Sequence, residues 1–312
     1  MVVNFNMKNG ICLYESAGDV DVDISKYIFD YKIAIQINKK KLDYKLPGYT
    51  RHTLQLSSCN KTQINYHFNK SYPKLNSDIK HIIAFNETII GDWGIDLMPK
   101  WWDIDLAKKY IKSIREANPQ AKLWISNHKL INPAFDRIKK RNLLINIAKE
   151  LELDGVGLQV WLDKKMFFVP GHYLEKLLPK YDFSKLIGDY QNIDIRLSKL
   201  QNSKFLDNQA IKVIFNSATS SLISYVKEFG QAVKKEGLLF SVPEWAVFLE
   251  NQERQYQVAK ELLEGYKEVG AEFNCYWYLT DNLPRPQPGK TGNPGLFDKD
   301  LKPKKISTLF LK

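Results

Sequence analysis

Two stretches of the chain end an apolar run with a glutamate: HIIAFNET at residues 81–88 and LLFSVPEW at residues 238–245. A long amphipathic helix pattern follows each of them after a loop. Short apolar runs that alternate with such helices are typical of parallel strands in an α/β fold. The carboxyl ends of the strands in a parallel α/β barrel open onto one face, so Glu87 and Glu244 are predicted to lie there.

Strand and helix patterns alternate from residue 79 to the end of the chain. The predicted strands cover residues 79–85, 122–126, 155–162, 238–243 and 272–279. The predicted helices cover residues 105–117, 142–152, 221–235 and 252–269, with a short one at 304–311. Gly270 follows the last long helix, where glycine suits a left-handed cap. Five strands with intervening helices predict a parallel sheet or a closed barrel.

Two regions interrupt this alternation. Residues 163–210 are long and polar and are predicted to be an insertion, with an additional strand at 211–216 inside or after it. Residues 1–78 contain short β-like runs at 11–14, 32–37, 53–56 and 63–68, with one modest helix candidate at 24–30. We therefore expect residues 1–78 to be an irregular, β-rich part, and residues 79–312 to be the main body.

Composition limits the class of protein. The 312 residues are 44% apolar, which is ample for a buried core and excludes wholesale disorder. The sequence has no apolar run of eighteen residues, so no membrane span is predicted. Its three cysteines, Cys12, Cys59 and Cys275, have no metal-binding spacing and are interpreted as buried thiols. The net charge of +11 is interpreted as a solvated basic surface, not a nucleic-acid site, because the lysines are scattered.

Several short motifs follow one another in a fixed order along residues 79–312. They are FNET at 85–88, DGVGLQ at 154–159, PE at 243–244, WYLTD at 277–281 and GLFD at 295–298. In this order and strand placement the chain resembles the glycoside hydrolase family 10 endo-β-1,4-xylanases, which belong to a larger clan of barrel glycosidases. The resemblance implies a (β/α)8 TIM barrel, here with a shortened or irregular N-terminal part.

The chain departs from the family pattern at three places. Family members carry a histidine two positions after the glutamine of the sixth strand, whereas this chain has Trp161. Residues 243–246 read PEWA where the family has Thr-Glu-Leu-Asp. The family's tryptophan–histidine motif of the third strand has only a faint echo in RHTL at residues 51–54.

Two carboxylates brought to one face from different strands are what glycoside cleavage requires. Glu87 is the candidate general acid/base, and Glu244 is the candidate nucleophile of a retaining double displacement. The acid must be protonated near neutral pH, so its pKa is expected to be raised by burial or by the other carboxylate. The structural alternative for each is a carboxylate that merely follows a strand or caps a loop.

Six further residues are candidate substrate contacts. The resemblance places the Asn86 amide against the sugar 2-hydroxyl, and Trp277 is expected to form an apolar floor because indole covers the C–H face of a sugar. The other four candidates are Gln159, Trp161, Asn127 and His128. For each of these residues, ordinary packing is the alternative.

The predicted function is hydrolysis of a β-1,4-linked, xylan-like glycan. Two alternatives remain: a catalytically inactive carbohydrate-binding barrel, and a transglycosidase with the same carboxylates. The expected partner is a polysaccharide or oligosaccharide, with no nucleic acid, membrane, metal or cofactor, and the protein is expected to be monomeric. The amino terminus shows no recognisable secretory signal, which fits a cytoplasmic protein or a secreted one whose signal is absent from this chain.

Overall fold

The structure, a computed structural model, describes residues 7–13, 31–34, 80–86, 103–128, 130–131, 137–163, 168–170, 174, 176–181, 194–196, 206–281 and 293–311. Seven described strands form one parallel sheet. They are β1 (Lys8–Leu13), β2 (Tyr31–Ala34), β3 (His81–Asn86), β4 (Lys122–Asn127), β5 (Gly155–Asp163), β8 (Leu239–Phe248) and β9 (Phe273–Tyr276). The two other strands, β6 (Phe168–Pro170) and β7 (Asp194–Arg196), form a separate antiparallel pair.

The order of the strands is that of a barrel. Across the sheet it runs β2-β1-β9-β8-β5-β4-β3, so the last strand among the described residues pairs with the first. In a barrel of consecutive parallel strands, the sheet closes by pairing the last strand with the first. The predicted α/β class and (β/α)8 barrel are confirmed, and the predicted run at residues 11–14 corresponds to β1.

The described residues also form four α-helices and a 3₁₀ helix: α1 (Ile104–Ala117), α2 (Arg137–Glu150), α3 (Asn208–Lys235), α4 (Gln252–Glu268) and the 3₁₀ helix Lys305–Phe310. Asp103, Asp207 and Asn251 begin α1, α3 and α4 by accepting a hydrogen bond from a backbone N–H three residues later. Gly270, with φ 67°, follows the end of α4, as its sequence position predicted.

The predicted strand at residues 211–216 is wrong, because these residues lie inside α3. The Asp207 cap begins the helix well before the predicted start at residue 221. Ala210, Ile214 and Ala218 are buried at intervals of four residues, which is the period of a helix face and not of a strand. A short apolar run does not distinguish a buried helix from a strand, and only the cap and the neighbouring periodicity do so.

The described strands of the segment between β5 and α3 lie outside the barrel sheet. The segment contributes the β6–β7 pair, in which Phe168 lies opposite Arg196, and β6 contacts α3. The division of the chain at residue 78 and the insertion at 163–210 stay predictions. The helix candidate at 24–30 and the β-like runs at 53–56 and 63–68 lie outside the described residues.

Large side chains fill the barrel interior near the amino ends of the strands. Trp124 of β4 packs against Phe273 of β9 and donates a hydrogen bond from Nε1 to His81 Nδ1 at 3.1 Å. Cys275 is buried in the same cluster, as predicted for a structural thiol. Gly155, next to Trp124 in register, leaves room for the ring: a Cβ there would lie 2.2 Å from Trp124 Cζ3.

Outside the sheet, a second and larger core joins the strands to the helices. Ile82, Leu123 and Val156 from three neighbouring strands share it with the buried faces of the α-helices. None of the described helices combines the length and apolarity that crossing a bilayer requires. Within the described ranges, no three His, Cys, Asp or Glu side chains form a group able to bind a metal ion.

We expect Gly155→Ala to lower the free energy of unfolding by about 1–3 kcal/mol, because the added methyl group overlaps the Trp124 ring. Urea denaturation measures this change. The control is Gly265→Ala in α4, where a Cβ would lie 3.1 Å from Ile223 Cγ2 at its nearest. That exchange should change stability by no more than about 1 kcal/mol in either direction. Equal effects at both positions would contradict the close packing assigned to Gly155.

Acid should destabilise the fold through His81. Burial, together with the charge of Lys122, lowers the pKa of His81 from 6.5 to about 4, against an opposing effect of Asp154. As the pH falls, the unfolded chain therefore takes up the extra proton before the folded chain does. This group leaves the free energy of unfolding unchanged above pH 6.5 and lowers it as the pH decreases toward 4. The full loss is about 3 kcal/mol, at 1.36 kcal/mol for each unit of pKa.

The measurement is urea unfolding of the wild type and His81→Asn between pH 8 and pH 4. Asparagine does not titrate, and its side-chain oxygen accepts a hydrogen bond as Nδ1 does. The stability difference between the two proteins should change by about 2 kcal/mol between pH 8 and pH 5. Parallel pH profiles for the two proteins would show that His81 is not the group responsible.

Candidate active site

Glu244 lies in the middle of β8 and is only 4% exposed. Its backbone is in register with Gln159 of β5. Asn86, the last residue of β3, is 1% exposed and donates a long hydrogen bond from Nδ2 to Glu244 Oε1 at 3.4 Å. The barrel thus brings together two predicted site residues that are 158 positions apart in the chain.

Two more side chains complete a buried hydrogen-bond network around Asn86. Ser126 Oγ of β4 donates to Asn86 Oδ1 at 2.5 Å. Gln159 Nε2 of β5 donates to the same oxygen at 2.8 Å and lies 3.5 Å from Ser126 Oγ. We call Asn86, Ser126, Gln159 and Glu244 the Asn86 network. Its members come from four adjacent strands.

Irregular pairing in the sheet orients these side chains. The register shifts between Ile83 and Phe85 in β3, between Gly157 and Gln159 in β5, and between Val242 and Trp245 in β8. The shifts in β3 and β5 come just before Asn86 and Gln159, and the shift in β8 spans Glu244. Bulges next to active sites commonly redirect a side chain in this way.

Pro243 and Gly157 explain why the β8 irregularity is tolerated. Proline has no N–H to donate to the ladder, so a bulge suits it within a sheet. A Cβ on Gly157 would lie 2.8 Å from Pro243 Cγ and 2.9 Å from Ser126 Cβ. The glycine therefore permits Pro243 and Ser126 to approach each other beside the network.

Trp245, the residue after Glu244, anchors β8 on the other side. It belongs to the large core, packs edge-on against Tyr266 and Tyr276, and donates from Nε1 to Asn274 Oδ1 at 2.8 Å. Glu244 meanwhile lies close enough to Cys275 of β9 to affect its titration. Burial and, secondarily, the Glu244 charge raise the pKa of the Cys275 thiol well above its usual range, so that thiol is neutral.

An aromatic wall lies beyond the network at the carboxyl ends of the strands. It consists of Trp161, Phe248, Trp277 and Tyr278. The Trp161 ring centroid is 5.2 Å from that of Trp277 and 6.0 Å from that of Phe248. Trp161 is half-buried while the other three are buried, so Trp161 is the member with the most accessible surface.

The backbone that carries the wall is constrained. The Trp277 N–H donates to the Trp245 carbonyl at 2.7 Å, which ties the residue after β9 to β8. Tyr278 has φ 113°, a conformation that costs a non-glycine residue free energy and is found mainly at functional sites. This conformation also ends β9 at Tyr276, three residues before the predicted end at Leu279.

A buried ion pair fastens the C-terminal segment next to the wall. Lys304 Nζ lies 3.2 Å from Asp281 Oδ2, and the Gly295 N–H donates to Asp281 Oδ1 at 2.7 Å. Burial raises the pKa of Asp281 and lowers that of Lys304, and in each case the charge of the partner opposes the shift. The pair joins the end of the β9 segment to residues 293–304.

The other predicted site residues have different surroundings. Trp161 belongs to the aromatic wall, at the position where the family has its histidine. Asn127 alternates with Ser126 along β4 and so lies on the opposite face; neither of its amide atoms has a hydrogen-bond partner among the described residues. His128 is half-buried and follows β4. Glu87, the candidate acid, lies outside the described residues and directly follows Asn86.

Sequence reasoning missed Ser126 and two members of the wall, Phe248 and Tyr278. Ser126 had a usable signal, because strand alternation from the interior Trp124 places residue 126 on the same face. Phe248 had none, since the predicted strand ended at Pro243 and β8 continues to residue 248.

Solved structures with a similar fold cover nearly all of the chain. A family 10 glycoside hydrolase from Paenibacillus barcinonensis has a TM-score of 0.58 at 14% identity, covering 96% of this chain and 93% of that one. A thermostable mutant of a Cellvibrio japonicus xylanase has a TM-score of 0.60 at 14% identity, with coverages of 97% and 96%. Xylanase 10B from Thermotoga petrophila, in complex with xylobiose, has a TM-score of 0.61 at 12% identity, with coverages of 97% and 92%.

This likeness confirms the family 10 resemblance at the level of the fold. No protein-family model matches the sequence, and no curated protein sequence does so.

Proposed function

We propose that this protein is a glycoside hydrolase that cleaves a β-1,4-linked, xylan-like glycan with retention of configuration. The observation that carries the proposal is the Asn86–Glu244 contact: a buried carboxylate on β8 accepts a hydrogen bond from the residue that directly precedes Glu87. The fold shared with family 10 xylanases supports the substrate class.

In the proposed first step, Glu244 acts as an anion and attacks the anomeric carbon. Glu87 gives its proton to the glycosidic oxygen as that bond breaks, which leaves a sugar covalently attached to Glu244. In the second step, Glu87 takes a proton from water, and the water oxygen displaces Glu244 from the anomeric carbon. The Asn86 amide donates to the carboxylate and favours its charged form.

The aromatic wall supplies the binding surface in this proposal. Pyranose rings present C–H groups on their faces, and burying these against indole removes apolar surface from water. Trp161 is the half-buried member of the wall, so its ring offers the surface for the sugar. The buried Trp277 packs against that ring at a centroid distance of 5.2 Å and holds it in place.

A second candidate is a carbohydrate-binding barrel without turnover. Trp161 favours it, because the ring stands where a titratable histidine is found in the family and packs within the aromatic wall. In that case the wall would bind sugar, and the two glutamates would have no chemical role.

Glu244→Gln should reduce hydrolysis of β-1,4-xylan and a β-glycan panel to below detection, because an amide cannot form the covalent intermediate. Glu87→Gln should lower turnover by about 10²–10⁴-fold, the range for loss of general acid–base catalysis. Release of reducing sugar measures both effects. The control, Glu236→Gln, removes a charge from a half-exposed carboxylate paired with Lys149 before β8, and should keep wild-type turnover.

A 2-fluoroglycoside of xylobiose should label the Glu244 peptide covalently, as detected by mass spectrometry. Near-wild-type turnover in Glu244→Gln would contradict the proposal. Sugar binding that survives both glutamine variants, with no turnover in the wild type, would support the binding barrel instead. Transfer of the sugar to an acceptor other than water would identify a transglycosidase.

Trp161→Ala should weaken binding of xylo-oligosaccharides about two- to tenfold, which corresponds to the loss of one aromatic contact. Calorimetric titration in the Glu244→Gln background measures affinity without turnover. Tyr256→Ala is the matched control, because this aromatic side chain lies on α4 beside Lys305 and away from the wall. Unchanged affinity in Trp161→Ala would remove Trp161 from the binding surface.

A further inference from the structure

Ser126 is buried, at 1% exposure, and its hydroxyl lies next to the amide that contacts Glu244. Ser126 and Asn86 are register partners on β4 and β3, so the sheet itself brings their side chains together. Ser126 takes no direct part in the two proposed chemical steps. Its contact with Asn86 nevertheless bears on the direction in which the amide points.

A carboxamide has two orientations that differ by exchange of its oxygen and nitrogen. In the observed orientation, Asn86 Oδ1 accepts from Ser126 Oγ and from Gln159 Nε2, and Nδ2 faces Glu244 Oε1. An ionised carboxylate has only acceptor atoms, so it requires the NH₂ side of the amide. The opposite orientation would place oxygen against oxygen at Glu244.

The donor direction of the Ser126 hydroxyl follows from its other neighbour. Gln159 Nε2, itself a donor, lies 3.5 Å from Ser126 Oγ. The hydroxyl proton is therefore directed away from Gln159 and toward Asn86 Oδ1. Ser126 and Gln159 thus donate to the same oxygen and together hold Asn86 Oδ1 on the side away from Glu244.

We propose that Ser126 is a positioning residue that directs the Asn86 amide toward Glu244 and so sustains the hydrogen bond to the nucleophile. This inference rests on the proposed function for its catalytic consequence. The side-chain orientation of Asn86 itself is a property of the folded protein and is measurable without substrate.

The chain offers a matched control for Ser126. Register pairs Ser126 with Gly157 and Gly157 with Ser241, so the two serines occupy one level of the sheet on either side of β5. Ser241 is equally buried, and its Oγ has no hydrogen-bond partner among the described residues. Ser241→Ala therefore removes a buried hydroxyl at the same level without touching Asn86.

The first measurement is steady-state kinetics on the glycan that the wild type cleaves. Ser126→Ala should lower kcat about five- to tenfold, as expected for one buried hydrogen bond, with little change in KM. Ser241→Ala should stay within about twofold of the wild type, since it breaks no bond in the network. An equal loss in the two variants, or no loss in Ser126→Ala, would overturn the assignment.

The second measurement needs no activity. In protein labelled with ¹⁵N-asparagine, the Asn86 side-chain NH₂ signal is identified by its absence in Asn86→Ala. That signal should move and exchange faster with solvent in Ser126→Ala, and should stay in place in Ser241→Ala. An unchanged signal in Ser126→Ala overturns the positioning role, even if the wild type is an active glycosidase. If the signal changes as expected in Ser126→Ala but the wild type cleaves no glycan, the positioning role is upheld and the proposed function is refuted.

Discussion

The site depends on keeping a carboxylate inside the barrel with donors directed at it. Removing a charged group from water is costly unless hydrogen bonds replace its hydration. Asn86 supplies such a bond to Glu244, and Ser126 and Gln159 in turn satisfy Asn86. Each of the four residues comes from a different strand, so the arrangement exists only when β3, β4, β5 and β8 are neighbours. The neighbour order of these four strands is thus a requirement of the site as well as its support.

The barrel interior is divided into an apolar level and a polar level. Trp124 and Phe273 fill the amino-terminal level, while the Asn86 network occupies the next one toward the carboxyl ends. Glycines of β5 make both levels possible, because Gly155 admits the Trp124 ring and Gly157 admits Ser126 and Pro243. The GVG run at residues 155–157 therefore has a packing reason at each of its two glycines. Because β5 has no side chain at residues 155 and 157, the side chains of the neighbouring strands β4 and β8 have room there.

Trp161 distinguishes the wall from the pattern that the family 10 resemblance implies. At the position where that resemblance implies a histidine, the Trp161 ring joins Trp277, Phe248 and Tyr278 in one cluster. Indole thus provides apolar surface where imidazole would provide a titratable group. In the proposed enzyme, control of the Glu244 charge then falls more heavily on the Asn86 amide, which gives the Ser126 contact its significance.

The sequence by itself determined where strands end in polar residues and which helix faces are buried, because side-chain period and caps are local properties. It therefore placed Asn86, Gln159, Glu244 and Trp277 in or directly after predicted strands. It ended the strand before Glu244 too early, since β8 continues to Phe248, and it failed at residues 211–216, where a short apolar run fits both helix and strand. Only the tertiary structure decided that Asn86 contacts Glu244 and that Ser126 orients the amide. Parallel strands pair through backbone groups that all residues share, so neither neighbour order nor the bulges that shift register can be derived from local pattern.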